Sequence, residues 1–308
     1  FIGHSIATDL LNNYKVYGID NFDDYYNIKL KKKRLNILKK NSNFYFKKID
    51  ITNSKNMKNF LSKNDFTIII HLAAQAGVRY SLLNPQKYYN VNVKGFNNLL
   101  ENLNCKKIKK IIYASSSSVY GDTNKFPVDE KQIVSPKNPY GISKKINEDT
   151  ATIFSQKLKV SFIGLRFFTI YGEWGRPDMF ILKFLQKKLH GKIFYLNNNG
   201  HHYRDFTYIQ EVVKIVNRLI KLKMEKKNYI FNVCTSKPIY IKNLSKALSK
   251  KTKYDKIKNI KINKADVLKT HGNNKKLIKF IGKIKFTNFK IGLQNTLEWF
   301  NNNKNLFN

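Results

Sequence analysis

The chain has 308 residues, 42% of them hydrophobic, enough for one large α/β domain with a smaller lobe. Its formal net charge is +38, but the lysines run along the whole chain among many asparagines and isoleucines, the pattern of AT-rich codon drift, so no specific nucleic-acid partner is expected. It holds no apolar run of about 18 residues, hence no membrane span, and no cleavable signal pattern. Its two cysteines, Cys105 and Cys234, form no metal-type spacing, so a reduced cytoplasm and no metal are expected.

The chain opens FIGHSIATDLLNN, a helical pattern with Gly3 where the last glycine of a dinucleotide-fold turn would stand. The preceding strand and first two glycines of such a turn are missing, which reads as a truncated record. A shortened protein lacking a central strand is the alternative. VYGID (16–20) predicts a strand ending in an acid, and NFYFKKIDI (43–51) another. TIIIHLAA (67–74) is a continuous apolar run, as in a strand buried on both faces. A helix follows over about 85–103, then the strand KKIIYASSSS (109–118), a helix over about 140–158 and the strand VSFIGLRFF (160–168).

This alternation predicts right-handed βαβ units and a parallel sheet, with ligands at the carboxyl ends of the strands. Asp20 and residues 73–75, 115–118 and 166–169 fall at such ends. After Gly172 the alternation weakens. KIFYLNN, NYIFNVC and KIKNIKINK predict short strands; IQEVVKIVNRLIKLK and FKIGLQNTLEWFNNN predict helices. The expected fold is α/β: a Rossmann-type doubly wound parallel sheet in residues 1–172, lacking its first strand and glycine turn. A smaller α/β substrate lobe occupies mainly 173–308, with some segments returning to the first domain.

Tyr140-Gly-Ile-Ser-Lys144 places a tyrosine and a lysine on one helix face, where the lysine can favour phenolate formation. A tyrosine with pKa near 10 is otherwise a poor base at neutral pH. Alone, the spacing is also that of a chance surface pair. The serine cluster ending the preceding strand adds hydroxyls for a reacting alcohol. Asp20, either a turn residue or an acceptor for adenosine ribose hydroxyls, would favour NAD over NADP. Together the features point to a dehydrogenase-type site.

Arginine is rare here: only Arg34, Arg79, Arg166, Arg176, Arg204 and Arg218 occur among 58 basic residues. Its planar fork grips a carboxylate or phosphate with two hydrogen bonds, which lysine cannot do. Arg34, inside KKKRLN, and Arg218 read as surface leftovers; the other four sit in site-like stretches.

These stretches resemble the extended short-chain dehydrogenase/reductase family, and within it the UDP-glucuronate 4-epimerases. The resemblance covers nearly the whole chain through FIGHSIATDLL, DNFDDYY, AGVRYS, YASSSSVYGD, NPYGISK, WGRPDM and RDFTY. It implies NAD as cofactor, a UDP-sugar as substrate, and a homodimer built on the helices at about 85–103 and 140–158. It implies Tyr140 as catalytic base, Lys144 as its partner on the nicotinamide ribose, and Ser116 as the catalytic hydroxyl. Asp20 and Asn21 would hold the adenosine ribose, and Asp50 and Ile51 would flank the adenine. Leu72, Ala73 and Gln75 would pass under the cofactor, with Asn92 supporting that loop. Ser118, Thr169 and Arg79 would line the sugar pocket, Arg204 would clamp the diphosphate, and Asp266 would lie near the nucleotide. Arg176 would pair with the glucuronate carboxylate, an interlobe salt bridge being the alternative; Arg166 would brace its strand end. The implied reaction oxidises carbon 4 and reduces it from the opposite face through a 4-keto sugar.

A 4,6-dehydratase would carry an acid pair after its serine or threonine, where this chain has none before Tyr120. A UDP-glucose 4-epimerase, an inactive fragment and a basic polyanion-binding protein are the other readings. Three places depart from the family: Glu173 for a proline, expected to add negative charge beside the carboxylate pocket; Gln210-Glu211 for an acid pair; and Ala265 for a glycine.

Overall fold

A computed structural model describes residues 1–103, 107–261 and 266–307. Cys105 and Ala265 lie outside them. In chain order the first elements are α1 (Ile2–Leu10), β1 (Val16–Asp20), α2 (Ile28–Leu38), β2 (Phe44–Lys48), α3 (Ser54–Ser62) and β3 (Ile68–His71). Next come α4 (Val78–Leu83), α5 (Pro85–Tyr88), a π-helical turn (Tyr89–Lys94), α6 (Gly95–Glu101), β4 (Lys110–Ser116), a 3₁₀ turn (Ser117–Tyr120), α7 (Pro139–Leu158) and β5 (Ser161–Phe167). The remainder runs β6 (Thr169–Tyr171), α8 (Phe180–Leu189), β7 (Phe194–Asn197), β8 (Tyr203–Tyr208), α9 (Ile209–Lys221), β9 (Asn228–Val233), β10 (Pro238–Tyr240), α10 (Ile241–Thr252), β11 (Ile257–Ile260), α11 (Lys275–Ile281) and α12 (Phe289–Asn302).

The Rossmann-type sheet is parallel and lies in two parts. β3, β4, β5 and β9 form one in that order, and β1 pairs only with β2 in the other. A cavity opens over the carboxyl ends of the strands, lined among others by Asp20, Ala73, Ser116 and Tyr140. β4 and β5 are buried almost throughout, but Ile68, Ile69 and Ile70 of β3 are only half-buried, because β3 edges its sheet and borders the cavity. Smaller sheets join β10, β8 and β6, and β11 with β7.

The helical run expected over 85–103 begins earlier, at Val78, and includes the π turn. Its extra residue per turn lets Asn92 point fully inward. α8 and α10 were not anticipated, although Ile241, Leu244 and Leu248 of α10 repeat at helical spacing and are buried.

Candidate active site

α7 starts where the local sequence dictates. Asn138 caps it, accepting from the Gly141 N–H at 2.9 Å, and Pro139 fills the first helical position, where no N–H is needed. Gly141 is required for packing: a Cβ there would stand 2.6 Å from the Ser118 carbonyl oxygen and 2.9 Å from Pro136. The first turn of α7 therefore lies directly on the serine loop. Tyr140 faces Ser116, whose hydroxyl also accepts from the Ser118 N–H at 3.1 Å.

Burial raises the Tyr140 pKa, while a hydrogen bond with Ser116 and the nearby charge of Arg176 pull it back down. The sequence had assigned that help to Lys144. Lys144 is buried, with its amine 6.0 Å from the centre of the Tyr140 ring, and has neither a carboxylate nor a hydrogen-bond partner among the described residues. Burial pushes its pKa down to about 8. At neutral pH it is thus a charged amine close to giving up its proton.

Gly3, Asp20, Asn21, Ile51, Leu72, Ala73 and Gln75 line the cavity. Asp20 ends β1 and accepts from the Phe22 N–H at 2.7 Å, so it is also a turn residue. Asn92 holds the loop after β3 from both sides, accepting from the Gln75 N–H at 2.8 Å and donating to its carbonyl at 3.0 Å. Its amide also donates to Ser143 of α7. Asp50 does not line the cavity. Burial alone would raise its pKa, but hydrogen bonds from Thr52 and Asn21 outweigh that and hold it low. Gly3 is not forced by packing, since a Cβ there meets Leu72 at an ordinary 3.7 Å. The exposed acid at the end of β1, the braced loop after β3 and an unpaired buried ammonium beside a tyrosine fit a dinucleotide.

Arg79, Ser118, Thr169, Arg176, Arg204 and Asp266 all line the same cavity. Arg204, on β8, is opposed by no carboxylate within salt-bridge distance among the described residues; it donates to the Tyr203 carbonyl at 2.8 Å. Its burial pushes the pKa down to about 10. A guanidinium facing a cavity with no carboxylate in contact has the chemistry to take an anion. Arg79 pairs with Asp266 at 2.5 Å.

Arg176 is paired within its own loop. Its Nε and Nη2 donate to the two oxygens of Asp178 at 3.0 and 2.5 Å. Burial works against its charge, but Asp178 outweighs it and keeps the guanidinium protonated. The pair is thus local rather than interlobe. Arg166 is bidentate to Glu148 at 2.8 Å, and Ser115 donates to the same carboxylate at 2.6 Å, forming a buried brace beneath the serine cluster.

Two sequence readings are overturned here. Arg34 is no surface leftover: it is 4% exposed, and its Nη2 donates to the carbonyls of Trp174 at 2.5 Å and Gly175 at 2.9 Å. Glu173 does not face the carboxylate pocket, because it accepts from the Tyr208 hydroxyl and is absent from the cavity lining. The rarity of arginine in this chain is the signal that marks Arg34, and its lysine neighbours mask it. Asp178 had no signal beyond lying two residues from Arg176.

The description NAD dependent epimerase/dehydratase family matches residues 1–234. An uncharacterized protein of Methanocaldococcus jannaschii is 40% identical over 99% of this chain and 94% of its own length. UDP-glucuronate 4-epimerase 4 of Arabidopsis thaliana is 36% identical over 97% of this chain and 73% of its own. The crystal structure of UDP-glucuronic acid 4-epimerase from Bacillus cereus, in complex with UDP-glucuronic acid and NAD, superposes with a TM-score of 0.91 at 27% identity, covering 98% and 96% of the two chains. With a Ser–Tyr–Lys site at the strand ends of a Rossmann-type sheet, this chain belongs to the NAD dependent epimerase/dehydratase family, and its cofactor is NAD.

Proposed function

We propose that the chain is a nucleotide-sugar 4-epimerase that interconverts UDP-glucuronate and UDP-galacturonate. The observation that carries the acid-sugar reading is Arg176, a carboxylate-gripping fork in the same cavity as Tyr140 and close enough for its charge to act on the phenol. NAD, when bound, supplies the acceptor and donor of hydride at carbon 4. Tyr140 takes the proton of the 4-hydroxyl and later returns it, with Ser116 bonding the same oxygen. Lys144 holds the nicotinamide ribose and supports the phenolate. Asp20, Asn21, Ile51 and the 72–75 loop take the adenosine and the nicotinamide side, with Asp50 holding Asn21 from behind and Gly3 at the pyrophosphate.

Arg204 clamps the UDP diphosphate, Asp266 lies by the nucleotide, and Arg79, Ser118 and Thr169 border the sugar. Arg176 grips the sugar carboxylate and holds it near the ring plane, which misaligns the bond that would release carbon dioxide from a 4-keto intermediate. Residues 1–172 form the NAD-binding domain, and 173–308 mainly the sugar-nucleotide lobe. The exposed Leu82, Leu83, Tyr89 and Ile153 on or beside the helices α4 to α7 support a homodimer. The buried, unpaired Cys234 accords with the cytoplasm.

UDP-glucose 4-epimerase is the second reading, favoured by the Asp178 carboxylate already on Arg176. The test incubates the protein with each sugar nucleotide and separates the epimers chromatographically. UDP-galacturonate from the acid alone, lost in Arg176→Leu with NAD still bound, upholds the first reading. Turnover of UDP-glucose alone upholds the second.

A further inference from the structure

Arg176 is a carboxylate site that already holds a carboxylate. The Asp178 oxygens take Nε at 3.0 Å and Nη2 at 2.5 Å, the side edge of the guanidinium, so an incoming carboxylate that takes this edge must displace Asp178, while Nη1 has no hydrogen-bond partner among the described residues. Asp178 is not locked in place: its side chain is 31% exposed, and its other recorded partner is the Tyr25 hydroxyl at 3.4 Å. Both residues line the cavity that holds Tyr140. The Arg176 side chain is only 20% exposed, so a carboxylate beside it is favoured whichever sugar is present.

We infer that Asp178 is a place-holder for the substrate carboxylate: it competes with an acid sugar for Arg176 and thereby sets the preference between acid and neutral sugars. The inference rests on the acid-sugar reading above. A neutral sugar leaves the Arg176–Asp178 pair intact. An acid sugar takes over the fork, and the released Asp178 turns to the Tyr25 hydroxyl and solvent. Removing the charge of Asp178 therefore removes the competitor, whereas an Asp178 that merely aimed Arg176 would, when neutralised, weaken acid-sugar binding.

The test uses the full chain loaded with NAD in a Tyr140→Phe background, where the sugar is not turned over. Calorimetry gives Kd for UDP-glucuronate and for UDP-glucose with Asp178, with Asp178→Asn and with Asp178→Ser, the smaller variant covering a failure of the first to fold. The expected result is a rise of roughly tenfold in the affinity ratio of acid over neutral sugar. An unchanged or reduced ratio overturns the inference. Failure of the acid-sugar reading looks different: the parent protein then shows no preference for UDP-glucuronate. In that case a gain of UDP-glucuronate binding in the variants still upholds competition at Arg176, and no gain overturns it.

Discussion

Arg34 donates to the carbonyl oxygens of Trp174 and Gly175, tying a helix of the first βαβ unit to the loop that carries Arg176. Trp174 sits at φ +58°, a conformation uncommon for a non-glycine residue, and the arginine spans both carbonyls beside it. A lysine amine cannot reach those two oxygens and the Tyr26 hydroxyl in the same planar array. Arg34→Lys is expected to lower stability by about 2 kcal/mol. It should also raise KM for the acid sugar more than it lowers kcat. Denaturant unfolding and steady-state kinetics check the two parts separately.

Gly141→Ala separates helix propensity from packing. Alanine favours a helix by about 1 kcal/mol over glycine, so α7 itself gains. The new methyl nevertheless lands on the Ser118 carbonyl and pushes the first turn off the serine loop. A fall in kcat on the order of 100-fold is expected, with helical circular dichroism unchanged.

Lys144 opposes stability as it stands. Its pKa is about 8 when folded, against an ordinary lysine value of 10.5, so between those values the unfolded chain binds more protons and stability rises with pH. Below pH 8 the full penalty of burying the charge is present, on the order of 3 kcal/mol. Lys144→Met is expected to be more stable than the parent at pH 7, with the gap closing as pH rises toward 10. Activity should fall at least 100-fold. Thermal melts across that range and a single-turnover assay provide the check.

Glu148 is the buried acid that Arg166, Ser115 and, through Arg166, Tyr120 depend on. Glu148→Gln leaves the guanidinium uncompensated, for an expected loss of roughly 3–5 kcal/mol. Replacing both partners, as Glu148→Leu with Arg166→Met, should recover part of it. Equilibrium unfolding of the two proteins decides the point.

The strands from Val16 to Phe167 were legible because a parallel sheet needs apolar runs of strand length between helical patterns, and the chain supplies them. Tyr140 and Lys144 were legible through their spacing and the serine cluster that ends the preceding strand. What stayed hidden depends on contacts between distant segments. The KKKRLN setting of Arg34 reads as solvated surface, and only the fold brings Trp174 against it, 140 positions away. Glu173 read as pocket charge because sequence gives neighbours but not direction; Tyr208 turns it away. Likewise the half-buried state of Ile68, Ile69 and Ile70 follows from which strands pair, which composition does not record.

The central strands of the four-stranded sheet stand apart by how slowly their amides trade hydrogen for deuterium. Amides of β4 and β5, paired on both sides and buried, should exchange only on global unfolding. Ser115 and Arg166, at the ends of these two strands, share the carboxylate of Glu148, so the platform under the serine cluster should be among the last parts of the chain to open.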